Sequence, residues 1–160
     1  CLKNAADSSP FDFVSGFFGT RIDIINIISL IRQSLMGKDS GFFSETVLPG
    51  GRLFTEKQLV PFTSSPLGEF TEFISHTEYA DVTKGFDVSS PDPSVLEKNA
   101  DKFVCKLVKQ LRKTPFGPQV VAGYILAKEY EIKNIRIAMS GILSGQESDA
   151  IKERLRLGYE

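Results

Sequence analysis

The sequence predicts an all-helical fold, and three observations carry that expectation. Apolar residues recur at three- and four-residue steps along most of the chain, and no segment sustains the apolar–polar alternation of a strand. The third is a repeat at a fixed offset of 108 residues. Asp23-Ile24-Ile25-Asn26-Ile27, with Gly37 eleven residues past the Asn, is matched by Glu131-Ile132-Lys133-Asn134-Ile135, with Gly145 eleven past. Such a repeat marks a protein built from copies of one helical unit. The chain is therefore read as repeated helical subdomains, 1–90 with the first motif and the Leu48-Pro49-Gly50-Gly51 loop, and 91–160 with the second motif.

Each element has its own reason. Residues 10–36 read as helical, in two pieces around Gly16 and Gly19. Apolar residues at 24, 27, 28, 31 and 35 mark one helix face, while Ile22, Ile25 and Leu30 occupy the other sides, so this helix is expected to be buried on several faces. Gly37 is read as its end cap. Residues 41–53 read as a loop centred on the Pro-Gly-Gly turn. Thr55 is expected to cap a short helix reaching Phe62. Ser65-Pro66 opens another, through Ser75, and a turn or two follow from Glu78 to Gly85. Residues 89–93 form a turn-rich linker. The amphipathic helix 93–113 places Leu96, Ala100, Phe103, Leu107 and Leu111 on one face, and Pro115-Phe116-Gly117-Pro118 stops it. A long helix over 119–143 and a short one over 144–159 complete the series. Ser144 with Glu147 suggests a capping box for the last, and Ile151 with Leu155 its buried pair.

Composition excludes several functions. At 160 residues, 41% apolar and 24% charged, the chain resembles an ordinary globular protein able to bury a core. A net charge of -1 argues against a nucleic-acid binder. One His and two Cys, at positions 1 and 105, give no metal or redox spacing, and the distant cysteines suit a reducing compartment. The densest apolar run, 22–31, is about half the roughly 20 residues a membrane span needs. No signal peptide is recognisable, and a first residue that is not Met suggests a fragment of a longer protein.

Candidate chemistry is sparse. Asp23 with Asn26, and Glu131 with Asn134, are pairs three residues apart on one side of a helix. The favoured reading is a buried polar clamp, the Asn satisfying carbonyls of a neighbour and the acid meeting Arg21 or Arg32 in one motif, Arg136 or Lys128 in the other. Gly50-Gly51-Arg52 and Gly16-Phe17-Phe18-Gly19 lack the P-loop pattern and read as turns. His76 reads as an exposed helix-end residue, with no nucleophile to complete a triad. Cys105 falls opposite the apolar stripe, at a boundary or second interface. Lys98, Lys102, Lys106, Lys109, Arg112 and Lys113 share one side of their helix, downstream of the acids Glu69, Glu72, Glu78, Asp81, Asp87 and Asp92. The ridge is either a solvated face or a docking surface for an acidic protein partner. No residue set suggests a cofactor.

Four segments read together carry a resemblance. They are Arg21-Ile22-Asp23-Ile24-Ile25-Asn26-Ile27 with Leu48-Pro49-Gly50-Gly51-Arg52-Leu53, then Lys128-Glu129-Tyr130-Glu131-Ile132-Lys133-Asn134-Ile135-Arg136, and the ending Glu153-Arg154-Leu155-Arg156-Leu157-Gly158-Tyr159. The chain resembles the C subunit of prokaryotic V-type or A-type rotary ATPases, the relative of the eukaryotic d subunit, over nearly its whole length. The resemblance implies a funnel of three similar helical subdomains without catalytic activity. It implies a peripheral position on the cytoplasmic side of the membrane. The expected partners are the rotor shaft subunits and the membrane ring, between which torque passes for proton or sodium transport or ATP synthesis. Two departures stand out: the family's N-terminal part is missing, and Ser140-Gly141 stands where bulkier residues are expected. The competing readings are an unrelated helical scaffold for an acidic partner, and an all-helical hydrolase.

Overall fold

A computed structural model describes residues 10–37, 40–111 and 117–155. Its regular structure is entirely helical, with no strand among the described residues. In chain order the helices are α1 (Pro10–Met36), α2 (Ser40–Thr46), α3 (Glu56–Leu59) running into a 3-10 turn (Val60–Thr63), α4 (Leu67–Ser75), α5 (Ala80–Thr83), α6 (Pro93–Leu111), α7 (Pro118–Leu143) and α8 (Ser148–Arg154). The chain divides into two compact units, Cys1–Ala100 and Asp101–Glu160, so the division falls inside α6.

In the first unit α1 is one continuous helix rather than two pieces, because neither Gly16 nor Gly19 departs from helical backbone. Ile24, Ile27, Leu30 and Ile31 are buried, as are Thr20, Asp23, Asn26 and Gln33, while Ile25 stays exposed. The helix ends at Gly37, whose φ of 62° suits a residue without a side chain, and whose N–H donates to the Ser34 carbonyl at 3.2 Å. The expected loop over 41–53 is shorter than the sequence suggests. Its first residues form α2, which packs on α1 and buries Phe43 completely. A single anchoring Phe among polar residues gives no periodicity to read, and tertiary packing fixes the helix. Thr55 does cap α3: its N–H donates to Gln58 Oε1 at 3.0 Å and its hydroxyl to the same oxygen at 2.9 Å.

An aromatic cluster then fills the space under α3 and α4. Phe62 lies 4.8 Å from Phe73 and 5.2 Å from Phe70 between ring centres, and Phe54 lies 5.8 Å from Tyr79. Phe70, Ile74, Tyr79 and Val82 are fully buried, each large side chain contributing on the order of 2 kcal/mol. Asn99 Nδ2 donates to the carbonyls of Val82 (3.2 Å) and Lys84 (2.7 Å), and Arg32 pairs with Glu97. The first turns of α6 are thereby tied to this unit.

In the second unit α7 begins with Pro118 in its first turn and runs to Leu143. Among the described side chains of α6, Leu96 and Ala100 in the first unit and Val104, Cys105 and Val108 in the second are buried, whereas Phe103 and Leu107 are half-buried. Cys105 is thus a core residue and not a boundary one. The buried side of α6 runs through Leu96, Ala100, Val104 and Val108 at four-residue steps and so drifts round a helix of 3.6 residues per turn, away from the stripe through Phe103 and Leu107. Ser144 is also reassigned. It closes α7, its hydroxyl donating to the Ser140 carbonyl at 2.8 Å, and Glu147 precedes α8 without a side-chain cap. Gly141 explains the departure at Ser140-Gly141: a Cβ there would stand 2.6 Å from Ile151 Cγ1, so the missing side chain is what lets α8 pack on α7.

Candidate functional site

The first motif builds a clamp. Its spacing puts Asp23 and Asn26 on one buried side of α1, 0% and 2% exposed, facing the loop that follows α2. Asn26 grips one residue of that loop twice. Its Nδ2 donates to the Leu48 carbonyl at 2.9 Å, and its Oδ1 accepts from the Leu48 N–H at 2.9 Å. Only an uncharged carboxamide offers both a donor and an acceptor in this fork.

Asp23 holds the other end of the loop. Its Oδ2 accepts from the Leu53 N–H at 2.7 Å and from the Tyr79 hydroxyl at 2.7 Å, and its Oδ1 accepts from the Phe54 N–H at 3.2 Å. No Arg among the described residues is bonded to the acid. Arg32 pairs instead with Glu97, and the charge of Asp23 is met by main-chain N–H groups, which a loop of irregular backbone must satisfy somehow. Burial, then the hydrogen bond to Asp23, pushes the Tyr79 phenol above its ordinary pKa.

Arg52 closes the clamp from the loop side. Its N–H donates to the Gly19 carbonyl at 3.3 Å, its Nε to Thr20 Oγ1 at 3.1 Å, and its guanidinium pairs with Glu78, whose hydrogen bond raises the Arg52 pKa against the opposing effect of burial. The loop comes so near α1 that there is no room for side chains. A Cβ on Gly51 would lie 2.2 Å from Asp23 Oδ1, and one on Gly19 would lie 3.0 Å from Arg52 Cβ. Tyr79, Arg52, Thr20 and Glu78 were not legible as partners, since Tyr79 lies 56 residues from Asp23 and no local pattern links them. The two close-approach glycines were the signal available.

The second motif is arranged differently. Glu131 is exposed and pairs with Lys128 at 2.6 Å, which raises the lysine pKa. Asn134 is half-buried. The glycines that follow the two motifs do share a conformation: Gly145 has φ 66°, and its N–H donates to the carbonyl three residues back, as Gly37 does. On α6, Lys98, Lys102 and Lys106 are exposed and Lys109 is half-buried, while Arg112 lies outside the described residues. His76 is exposed at the end of α4.

Chemically the clamp positions a loop and leaves no reactive group over. Both oxygens of Asp23 are engaged by donors, and Arg52 is engaged with Glu78. Among the described residues no group of three His, Cys, Asp or Glu could hold a metal ion, and no helix is long and apolar enough to cross a membrane.

Among the described residues the fold is all-helical, with a Pro-Gly-Gly loop clamped by an Asp and an Asn of a long helix. The chain belongs to the ATP synthase (C/AC39) subunit family, which matches residues 2–154. It is 26% identical over 140 residues to the C subunit of the V-type sodium ATPase of Enterococcus hirae, covering 87% of this chain and 42% of that protein. It is 28% identical over 158 residues to the C subunit of the A-type ATP synthase of Thermococcus kodakarensis, covering 95% and 42%. Against the corresponding A-type ATP synthase protein of Methanobrevibacter smithii it is 32% identical over 128 residues, covering 76% and 33%. The chain thus spans about two-fifths of the length of the first two of these relatives. No solved structure matches it.

Proposed function

We propose that the chain is part of a non-catalytic central-stalk component of a V/A-type rotary ATPase. In this reading it couples the rotor shaft to the membrane ring that moves protons or sodium, or that drives ATP synthesis. The single observation that carries the reading is the family match along residues 2–154, which includes the clamp and its loop. The relatives, C subunits of a V-type sodium ATPase and of A-type ATP synthases, supply the assembly. The chemistry is compatible, because a part that transmits torque needs stiff, fully hydrogen-bonded connections and no reactive pair. Asp23 and Asn26 are structural clamps, and Glu131 and Asn134 hold the corresponding place in a second copy of the unit, within a funnel of three. The protein then lies peripherally on the cytoplasmic face.

The Lys98–Lys109 face supports one docking role within the same reading. Three exposed lysines at four-residue steps attract an acidic protein surface and raise its association rate. Charge reversal at Lys102 and Lys109 should slow association and flatten its salt dependence; unchanged kinetics would leave the ridge a solvated face.

The deciding experiment reconstitutes the rotary complex with and without the intact protein and measures ATP hydrolysis and ATP-driven ion uptake into vesicles. Loss of uptake with hydrolysis retained is the expected result. Full coupled transport in its absence would overturn the proposal, as would ATP turnover by the purified chain.

A further inference from the structure

Helix α5 is a single turn, Ala80–Thr83. One turn has no stability of its own, because nucleating a helix costs more than its first hydrogen bonds return. Its order has to come from what holds its ends. Before the turn, Tyr79 is fully buried and its hydroxyl donates to Asp23 Oδ2 at 2.7 Å. After it the chain leaves the helix, with Lys84 in extended backbone (φ -60°, ψ 125°) and Gly85 turning at φ 74°. The carbonyls of Val82 and Lys84 are met from α6 instead, where Asn99 Nδ2 donates to both, at 3.2 and 2.7 Å. Val82, also fully buried, pins the middle.

The two anchors lead to different places. Asp23 also accepts from the N–H groups of Leu53 and Phe54, and so fixes the end of the Pro-Gly-Gly loop. Asn99 stands in the second turn of α6, on the first unit's side of the division within that helix. All of these residues belong to that unit. A direct tie between α1 and α6 exists as well, Arg32 with Glu97, but its side chains are 44% and 51% exposed, and an ion pair in water holds weakly. The firmer connection from the loop to α6 therefore runs through α5.

We propose that residues 79–84 form a tie-bar that couples the Pro-Gly-Gly loop to the start of α6, so that whatever loosens one end loosens the other. The segment is either docked at both ends or released, because a one-turn helix cut from one anchor loses the order that presents the other. Releasing Tyr79 lets the turn unwind and withdraws the Val82 and Lys84 carbonyls from Asn99. Losing Asn99 frays the same turn and takes the Tyr79 hydroxyl away from Asp23, which then holds Leu53 and Phe54 less firmly. A partner that pulled on the loop would thus be felt at α6 without touching it. The inference goes beyond the coupling role proposed above and concerns the first unit alone, so it stands whatever assembly the chain joins.

The test is amide hydrogen exchange on the full chain, read by NMR. Rates at Leu53 and Phe54 report the loop, and those from Glu97 to Ala100 the start of α6. Ile27 and Leu30, in the middle of α1, report the global unfolding against which the others are compared. Tyr79→Phe removes one oxygen and should speed exchange at the start of α6 by about fivefold or more. Asn99→Ala should speed it at Leu53 and Phe54 by a like factor, since coupling between two sites is reciprocal. Alanine is the better helix former, so loosening in the second variant cannot come from α6 itself. Combined, the two substitutions should exceed the stronger single effect only slightly. Arg32→Gln, which cuts the direct tie, should leave Leu53 and Phe54 unchanged. Native rates at Leu53 and Phe54 in Asn99→Ala, native rates at α6 in Tyr79→Phe, or effects that multiply in the double variant overturn the proposal. A rise of the same size at Ile27 and Leu30 marks loss of stability alone and overturns it too. A loop response to Arg32→Gln as large as that to Asn99→Ala overturns it in favour of the direct tie.

Discussion

Asp23 accepts three hydrogen bonds while fully buried, which makes it the residue whose loss strands most partners. Asp23→Ala leaves two main-chain N–H groups and a phenol without an acceptor, and should destabilise the chain by about 3 kcal/mol or more in urea denaturation. Asn26→Leu should cost about 1–3 kcal/mol by the same route. Asn26→Asp keeps the acceptor for Leu48 N–H but loses the donor to its carbonyl, so the aspartate variant should not restore full stability. Tyr79 adds a pH dependence. Its folded pKa is raised, by burial first and the bond to Asp23 second. Its contribution is therefore whole below the unfolded value of about 10 and declines as pH rises past it. Urea midpoints followed upward from about pH 8 should fall above about pH 10 in the native chain, and Tyr79→Phe should lack that part of the fall.

At the scale of elements, the glycines of α1 make a contrast. Gly16 has open space, the nearest atom to a built Cβ being 4.0 Å away, whereas Gly19 faces Arg52 backbone at 3.1 Å. Gly16→Ala should stabilise the helix by about 0.5–1 kcal/mol through propensity alone. Gly19→Ala should instead push the loop outward, measurable as faster hydrogen exchange at Leu53 and Phe54. The helices themselves were legible wherever periodicity was long: α1, α6 and α7 follow from apolar spacing. α2 was not, since Phe43 alone anchors it. Nor was the true end of α7, where Ser144 caps backward although the Ser-x-x-Glu pattern points forward. Of the clamp, the Asp and Asn were legible from the repeat and from their place on an apolar helix. Their partners were not, because residues 22 to 56 positions away met them only through the path of the intervening chain.

For the whole molecule, the described partners of Asp23, Asn26 and Arg52 all fall between Gly19 and Tyr79, well inside the first unit. A chain ended after Leu111 should therefore keep the clamp, with slow exchange at the Leu53 and Phe54 amides. Rapid exchange there would mean that the second unit supports the first. Gly37 and Gly145 both take a positive φ, 62° and 66°, at the ends of α1 and α7. The acids do not behave alike, since Asp23 is buried under a loop and Glu131 meets water and Lys128.

The contact between Gly51 and Asp23 also constrains the order in which substitutions can accumulate. Any side chain at 51 collides with the carboxylate while it is in place. Once position 23 is shortened to Ser, the obstruction on that side shrinks and part of the penalty at 51 has already been incurred. Gly51→Ala and Asp23→Ser should thus be less than additive together, by about 0.5–3 kcal/mol in a double-mutant cycle. Drift at this loop should accordingly pass through position 23 before it reaches position 51, a direction that reconstructed intermediates, made in both orders and compared for stability, would reveal.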